Sequence, residues 1–518
     1  MRILFRTDAS LEIGSGHVMR CVTLAEALRE RGAECSFVCR AHEGNLSDLI
    51  TSHGFLIHRL PCVGNQAIEK IQLNDAAPYA RWLGDSQQQD AAQTIHCIGD
   101  TAIDWVVVDH YGIDREWEQA LRPYTKKILV IDDLANRHHE CDVLLDQNLV
   151  NDFASRYDEL VPEHCDRLLG PEFAMLQPEY AELHPRTPPR IGPVSRLLIY
   201  FGGADVNDLT GVTLEALSDP VFADLDIDVV INPRSPHYAK ICDIARNRSN
   251  IHIHERLRSL ARLIMEADLA IGAGGATSWE RCCLGLPAIV VTLADNQVAI
   301  ASELSKQDLV TWLGDQAGIT VELIRRAIQC EIEYSERLHQ QSVACKKLVD
   351  GKGVNRVADR VMLNSQTQLV ARLATLDDEE LLLNWANDSL VRRHSFHPQA
   401  IDPVTHRNWF FKRLRNIDRC ALYIVQTENG MPLGQVRFEK CENAWEIHYG
   451  LASYARGRGL GKPILREALQ TFQTTISNTI FFGRVKHDNV PSRRIFESLG
   501  FTEKAGAAGE LVFQKRFC

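Results

Sequence analysis

Short apolar runs, each closing on a polar residue and each followed by a helical pattern, recur along the first two thirds of this chain. "RILF", "ECSFVCR", "WVVVDH", "ILVIDDL" and "CDVLLDQN" form one series; "RLLIYFGGAD", "DIDVVINP", "NIHIHER", "ADLAIGAGG", "PAIVVTLADNQ" and "LVTWLG" form a second. Strands buried on both faces read as unbroken apolar runs, and helices between them imply parallel pairing, so each series predicts a doubly wound sheet. The Pro- and Arg-rich stretch "HPRTPPRIGPVSR", residues 184–196, reads as a linker between them. Two Rossmann-like halves are expected, residues 1–185 and 190–363, with a cleft between them and a helical segment near 320–362 at the end.

After the polar "NSQTQ", residues 364–368, the pattern changes. A strand runs into the helix "DEELLLNWAND", antiparallel strands follow with turn signals at Glu428-Asn429-Gly430 and near Asn443, and then come a helix and the strand "TIFFGRV". The expected fold class is α/β: two Rossmann-like halves followed by an α+β domain over residues 369–518.

A chain of 518 residues supports about three or four domains. A formal charge of −11 without a dense basic run argues against a nucleic-acid partner. No apolar stretch is long enough for a membrane span, and the start lacks a signal-peptide core, so a cytoplasmic protein is expected. The fifteen cysteines show no zinc spacing, and no metal is expected.

In parallel sheets ligands gather at the carboxyl ends of the strands, where Asp8, Asp109-His110-Tyr111 and Asp132-Asp133 fall. His17 follows a Gly-Ser-Gly turn at the first such end, and a neutral imidazole there accepts a proton from water. In the second half, Gly202 and Gly203 mark one strand end, and Gly272, Gly274 and Gly275 another, with Glu280 one turn into the next helix. Glycine turns before helices suit a diphosphate, and a carboxylate further on suits ribose hydroxyls. In "ARGRGLGKPIL", Arg456, Gly457, Gly459 and Gly461 follow a strand and open a helix, which also suits a pyrophosphate.

The last segment, 369–518, resembles the GNAT superfamily of acetyl-CoA-dependent N-acetyltransferases. Besides the Arg-x-x-Gly-x-Gly loop, "NVPSRRIFESLGF" places Asn489, Ser492, Phe496 and Gly500-Phe501 on the family's second CoA-side motif. The resemblance implies acetyl-CoA as co-substrate and transfer to a primary amine. Strand alternation sets Glu446 and His448 on one face before the loop; either can take the amine's proton, and Glu446 is the preferred base. Many members carry a tyrosine acid where this chain has Phe496, leaving Tyr454 or a water for that role.

The first 350 residues resemble the GT-B arrangement and, within it, the UDP-2,4-diacetamido-2,4,6-trideoxy-β-L-altropyranose hydrolases of pseudaminic acid biosynthesis. "FRTDASLEIGSGHVMR", "VVDHYGID", "FGGAD" and "LADNQ" carry the likeness. It implies a UDP-sugar substrate with UDP on the second half, His17 as general base, Tyr111 and Asn296 against the sugar, and Glu280 on the nucleotide side. Asp8, from its position alone, is expected to orient His17. Together the resemblances imply acetylation of a UDP-4-amino-4,6-dideoxy sugar followed by release of UDP. The alternatives are a GT-B glycosyltransferase fused to a protein- or small-molecule N-acetyltransferase, a hydrolysing 2-epimerase and a sugar-nucleotide sensor.

Overall fold

The computed structural model describes all residues except 63–78, 100, 203–204, 256, 396–397, 477, 507–509 and 518. It divides into two compact units, Met1–Ala358 and Asp359–Cys518. The first unit holds two parallel sheets. Strands β1 (Arg2–Thr7), β2 (Glu34–Arg40), β3 (Leu56–Leu60), β4 (Ile103–Asp109), β5 (Thr125–Ile131), β6 (Val143–Asp146) and β7 (Asp166–Leu169) lie in the order β3-β2-β1-β4-β5-β6-β7. Strands β8 (Arg196–Tyr200), β9 (Asp226–Val230), β10 (Ile251–His254), β11 (Leu269–Ala273), β12 (Ala288–Thr292) and β13 (Thr311–Asp315) lie in the order β10-β9-β8-β11-β12-β13. The apolar runs identify every central strand. They miss β3 and β7, whose edge positions leave them partly solvated, so their sequences "LIHRL" and "DRLL" carry no unbroken apolar signal.

The stretch between the halves is fastened rather than free. Arg190 donates to the carbonyls of Ala267 at 2.8 Å and Leu284 at 2.7 Å, and to that of Ile264; burial pushes its guanidinium down to about 10. Further contacts join the halves. Trp279 Nε1 donates to Asn148 Oδ1 at 3.2 Å, and Gly353 packs so tightly that a Cβ there would lie 2.3 Å from the Ala174 carbonyl oxygen.

The second unit holds a mixed sheet. Strands β14 (Leu369–Leu373), β15 (Cys420–Thr427), β16 (Pro432–Cys441), β17 (Ala444–Leu451), β18 (Thr479–Lys486), β19 (Thr502–Ala505) and β20 (Glu510–Phe517) lie in the order β14-β15-β16-β17-β18-β20-β19. All neighbours are antiparallel except β17 and β18, which are joined through the helix Gly461–Gln473. That one parallel pairing is short. It runs from Ala444–Glu446 against Ile480–Phe482, while β17 continues to Leu451 and β18 to Lys486. Past Glu446 the two strands part.

Beneath the first sheet's carboxyl edge lies an ion cluster with no solvent exposure. Arg6 forks onto Asp90 at 2.9 and 2.7 Å, Arg40 Nη2 reaches the same carboxylate at 2.6 Å, and Trp117 Nε1 donates to it at 2.9 Å. Burial opposes the Asp90 charge, but the two guanidiniums outweigh it and hold the carboxyl below its usual range. This stabilisation is present above the unfolded carboxylate pKa and is lost as pH falls through the depressed one. Asp90→Ala removes the carboxylate shared by two buried guanidiniums, leaving Arg6 with Asp8 alone, and is expected to cost about 3–5 kcal/mol. Urea unfolding at pH 7 measures it; a loss under about 1 kcal/mol would show that the cluster relaxes into solvent.

Candidate active sites

In the first sheet the chain passes from β1 to β2 on one side and later enters β4 on the other, so the loops after β1 and β4 diverge and open a crevice at the carboxyl edge. The loop after β1 closes through a Ser10–Gly14 bridge in which Gly14 takes φ +80°, a conformation suited to glycine. It delivers His17 into the first turn of the helix Gly16–Glu30. On the other flank, β4 ends at Asp109, paired in register with Thr7.

His17 Nδ1 lies 2.6 Å from Asp109 Oδ1. Arg20, three residues along the same helix, grips both Asp109 oxygens at 2.6 and 2.7 Å. Burial works against the Asp109 charge, yet Arg20 and His17 hold its carboxyl well below the ordinary range. The Tyr111 ring meets the imidazole edge-on, with centroids 4.7 Å apart, and its hydroxyl donates to Asp133 Oδ1 at 2.5 Å. Among the described residues every polar contact of the imidazole runs through Nδ1, leaving Nε2 available to a ligand or water.

Asp8 does not orient His17. It is buried against Arg6 at 2.8 Å and accepts the Arg40 backbone N–H at 2.6 Å, with His110 Nε2 at 3.4 Å. His110 accepts the Gly112 N–H through Nδ1, so Nε2 carries the ring proton and turns it toward Asp8. Asp8 therefore ties together the ends of β1, β2 and β4. Reading the sequence placed Asp109 at a strand end without pairing it with His17, and it missed Arg20. The usable signal was an Asp closing an apolar strand and an Arg at i+3 from the histidine.

The second sheet repeats the topology, with β8 and β11 at its reversal point. Gly202 turns at the end of β8 with φ +92°, and Gly203 lies outside the described residues. Gly272 is a packing residue: a Cβ there would lie 2.1 Å from the Tyr200 carbonyl oxygen. Gly274 and Gly275 form the turn into the helix Thr277–Cys283, and a Cβ on Gly275 meets nothing nearer than 3.5 Å. Glu280 sits one turn on beside Tyr180. Its Oε2 is buried without a hydrogen bond, and burial pushes the carboxyl up to about 7. Asn296 stands exposed in the first turn of the helix Asp295–Lys306, and its side chain makes no hydrogen bond among the described residues.

In the second unit, a cavity of about 1180 Å³ opens where β17 and β18 part. His448, Tyr449 and Leu451 line it from β17, Arg484 and Lys486 from β18, and Arg456, Gly457, Gly459 and Gly461 from the loop between strand and helix. Gly457 and Gly459 take φ +72° and +75°, so the loop's conformation depends on glycine. A Cβ at Gly457 would meet nothing within 4 Å, which leaves the loop backbone open to a phosphate. Arg456 braces this loop instead of reaching out: it bonds the Leu451 carbonyl at 2.9 Å and Asp388 at 2.9 Å. Asn489 caps the helix Val490–Ser498 by accepting the Ser492 N–H at 3.2 Å, and the Ser492 hydroxyl accepts from Tyr449 at 3.0 Å.

Two expectations are corrected here. Glu446 belongs to the part of β17 still paired with β18, is bonded to Arg484 at 2.7 Å and does not line the cavity; His448, one pleat beyond the parting and 3.7 Å from the Glu446 carboxylate, does. Burial and the adjacent Arg437 push His448 down to about 4, which keeps it neutral at pH 7. Tyr454 gives its hydroxyl to the Pro432 carbonyl and is not part of the lining; the tyrosine in the cavity is Tyr449, with burial pushing it up to about 12. Phe496 is core, packed under Gly483 and stacked on Phe513.

Residues 368–502 match the acetyltransferase (GNAT) domain. The C-terminal unit carries a GNAT domain. A curated protein of Methanocaldococcus jannaschii described as uncharacterized is 22% identical over 530 residues and aligns with 99% of both chains. The UDP-2,4-diacetamido-2,4,6-trideoxy-β-L-altropyranose hydrolase of Campylobacter jejuni is 26% identical over 309 residues, covering 59% of this chain and 97% of that protein. The first unit superposes on MurG of Acinetobacter baumannii with a TM-score of 0.50 at 13% identity, covering 70% of this chain and 99% of that one. The chain thus joins a GT-B-like pair of Rossmann halves to a GNAT domain, and both parts are similar to enzymes. Among the described residues no grouping of three or more His, Cys, Asp or Glu side chains is arranged to hold a metal, and no helix is long and apolar enough to cross a membrane.

The raised Glu280 carboxyl has a consequence for the GT-B-like unit. An unfolded glutamate titrates near 4.5 and the folded one near 7, so this group's stabilisation is full below about pH 4.5 and lost as pH rises through about 7. Glu280→Gln, which cannot ionise, is expected to exceed the parent by about 2 kcal/mol at pH 8.5 and to match it at pH 4.5. Urea unfolding at both pH values reads this directly, and a difference independent of pH would refute it.

Proposed function

We propose that the chain acetylates the 4-amine of a UDP-4-amino-4,6-dideoxy sugar and then hydrolyses the anomeric C–O bond of the product. The products are UDP and a free 2,4-diacetamido-2,4,6-trideoxy sugar for nonulosonic acid synthesis. The observation that carries this reading is the His17–Asp109 pair at the first sheet's reversal point, with Nδ1 engaged and Nε2 open. The similarity to the Campylobacter jejuni hydrolase, spread over nearly the whole of that protein, supports the same assignment.

In the hydrolytic step His17 Nε2 takes a proton from water as the oxygen bonds to C1, and the C1–O electron pair leaves with UDP. Asp109 accepts the Nδ1–H and so fixes which nitrogen is basic. Tyr111 and Asn296 face the sugar in this reading, while Gly202, Gly203, Gly274, Gly275 and Glu280 hold the nucleotide. In the acetyl step the amine lone pair attacks the thioester carbonyl, and the C–S pair leaves as CoA thiolate. The Gly457–Gly461 turn, Asn489 and Ser492 hold acetyl-CoA. Tyr449, already ordered by Ser492, protonates the thiolate. His448 is too weak a base at about 4 to deprotonate an ammonium, so it accepts a hydrogen bond from the neutral amine while the proton leaves to solvent.

Incubation of the UDP-amino sugar with and without acetyl-CoA, followed by NMR, tests the order of steps. UDP and free diacetamido sugar are expected only when acetyl-CoA is present. His17→Ala is expected to slow UDP release by about 10²–10⁴-fold while acetylation continues. Sugar transfer to an added acceptor in place of water would establish the glycosyltransferase instead. Tyr449→Phe is expected to lower the acetylation kcat by about 10–100-fold with KM little changed; a change confined to KM would remove Tyr449 from the proton path.

A further inference from the structure

Arg437 is a nearly buried cation whose guanidinium is only partly engaged. It stands on β16 directly across from His448 and lines the cavity of the second unit, its side chain only 16% exposed. Among the described residues its guanidinium donates no hydrogen bond. Its contacts are an ion pair from Nε to Glu439 Oε1 at 3.1 Å and the Trp409 ring, whose centroid lies 5.0 Å from Cζ. Glu439 has another cation, since Arg413 Nε donates to the same oxygen at 3.1 Å. Nε is buried without a hydrogen bond, and a fork that makes none among the described residues has donors left for a ligand.

The surroundings point to the ligand's chemistry. On the same face, Gln435 Oε1 and His448 Nε2 are buried without hydrogen bonds, and both residues line the cavity. Six Arg or Lys side chains and one carboxylate, Asp402, stand in the described lining; Glu439, Glu446 and Asp388 pair with Arg437, Arg484 and Arg456 from behind it, and Arg392, Lys462 and Lys486 add to the positive charge. Burial lowers the Arg437 pKa, but an arginine stays charged. Guanidinium geometry matches a phosphate bidentately.

We infer that Arg437 is the anion-recognition residue of the acetyl-acceptor subsite, and that the amine acetylated there is carried by a phosphorylated molecule. The inference rests on unit 2 acting as an N-acetyltransferase toward an amino sugar. Gln435 and His448 then take the donors of the ligand's hydroxyl and amine groups, and Trp409 backs the guanidinium.

Acetyl-CoA consumption is measured with one 4-amino sugar in three forms: free, as its 1-phosphate and as its UDP derivative. The parent is expected to show a kcat/KM about tenfold or more higher for the phosphorylated forms. Arg437→Gln is expected to bring these to the level of the free sugar through KM, and Arg437→Lys to fall between. A preference for the UDP form alone would assign the anion to the diphosphate; equal use of the 1-phosphate would assign it to the first phosphate. Equal losses on free and phosphorylated acceptors, or none, would overturn the inference. Unchanged acetyl-CoA binding by calorimetry controls for folding. Titration of the CoA complex with inorganic pyrophosphate does not depend on turnover: one binding site is expected to vanish in Arg437→Gln, and identical isotherms would overturn the assignment. If no sugar is acetylated while that site is still lost, the amino-sugar reading fails and the anion site stands.

Discussion

Strand order in a parallel sheet can reverse only where two neighbouring strands send their connections in opposite directions, and that geometry governs the first unit. At the β1/β4 reversal it brings together His17 and Asp109, 92 positions apart, across adjacent strand ends. At the β8/β11 reversal it brings the Gly202 turn beside the Gly274–Gly275 turn. The crevices follow from the winding, and the side chains need only occupy them. Gly272 shows how close the packing is there, because any side chain would meet the Tyr200 carbonyl oxygen of the neighbouring strand.

Charge is distributed unevenly about these crevices. Asp8, Asp90 and Asp109 are buried, yet each is matched by arginine and held ionised. Glu280 and Asp146 are buried with too little compensation, and burial pushes both up to about 7. Matched pairs hold the loops in place, as Asp8 does for three strand ends. Asp146 still accepts from Arg156 at 2.9 Å and the Asn148 N–H at 3.0 Å, whereas Glu280 Oε2 has no hydrogen bond and is a group whose protonation a ligand can change.

The fold was largely readable because burial on both faces writes itself into composition, and the central strands from "RILF" to "PAIVVT" have no other plausible environment. The site residues were readable as a neighbourhood and less so as partners. Asp8 and Asp109 both close apolar strands near His17, and only the register of β1 against β4 decides which carboxylate meets the imidazole. Glu446 and His448 share a pleat face, as alternation requires, but where β17 leaves β18 is set by the whole sheet and not by the local sequence. Arg456 looked like a phosphate ligand from its motif, whereas its guanidinium is consumed in holding the loop. Arg437 carries no motif at all; its environment becomes visible only when β16, β17 and the helix Pro403–Leu414 are assembled.

The two units solve different problems. Hydrolysis at an anomeric carbon, the reaction proposed for the first unit, needs one base kept in a single tautomer, and His17 between Asp109 and an open crevice suits that need. Acetyl transfer needs an amine that has already lost its proton and a thiolate that gains one, so a neutral His448 and an ordered Tyr449 serve it better than a strong base. The parting of β17 and β18 makes that arrangement possible: it frees backbone and side chains from pairing over the last part of β17, while Glu446, where the strands are still paired, spends its charge on Arg484.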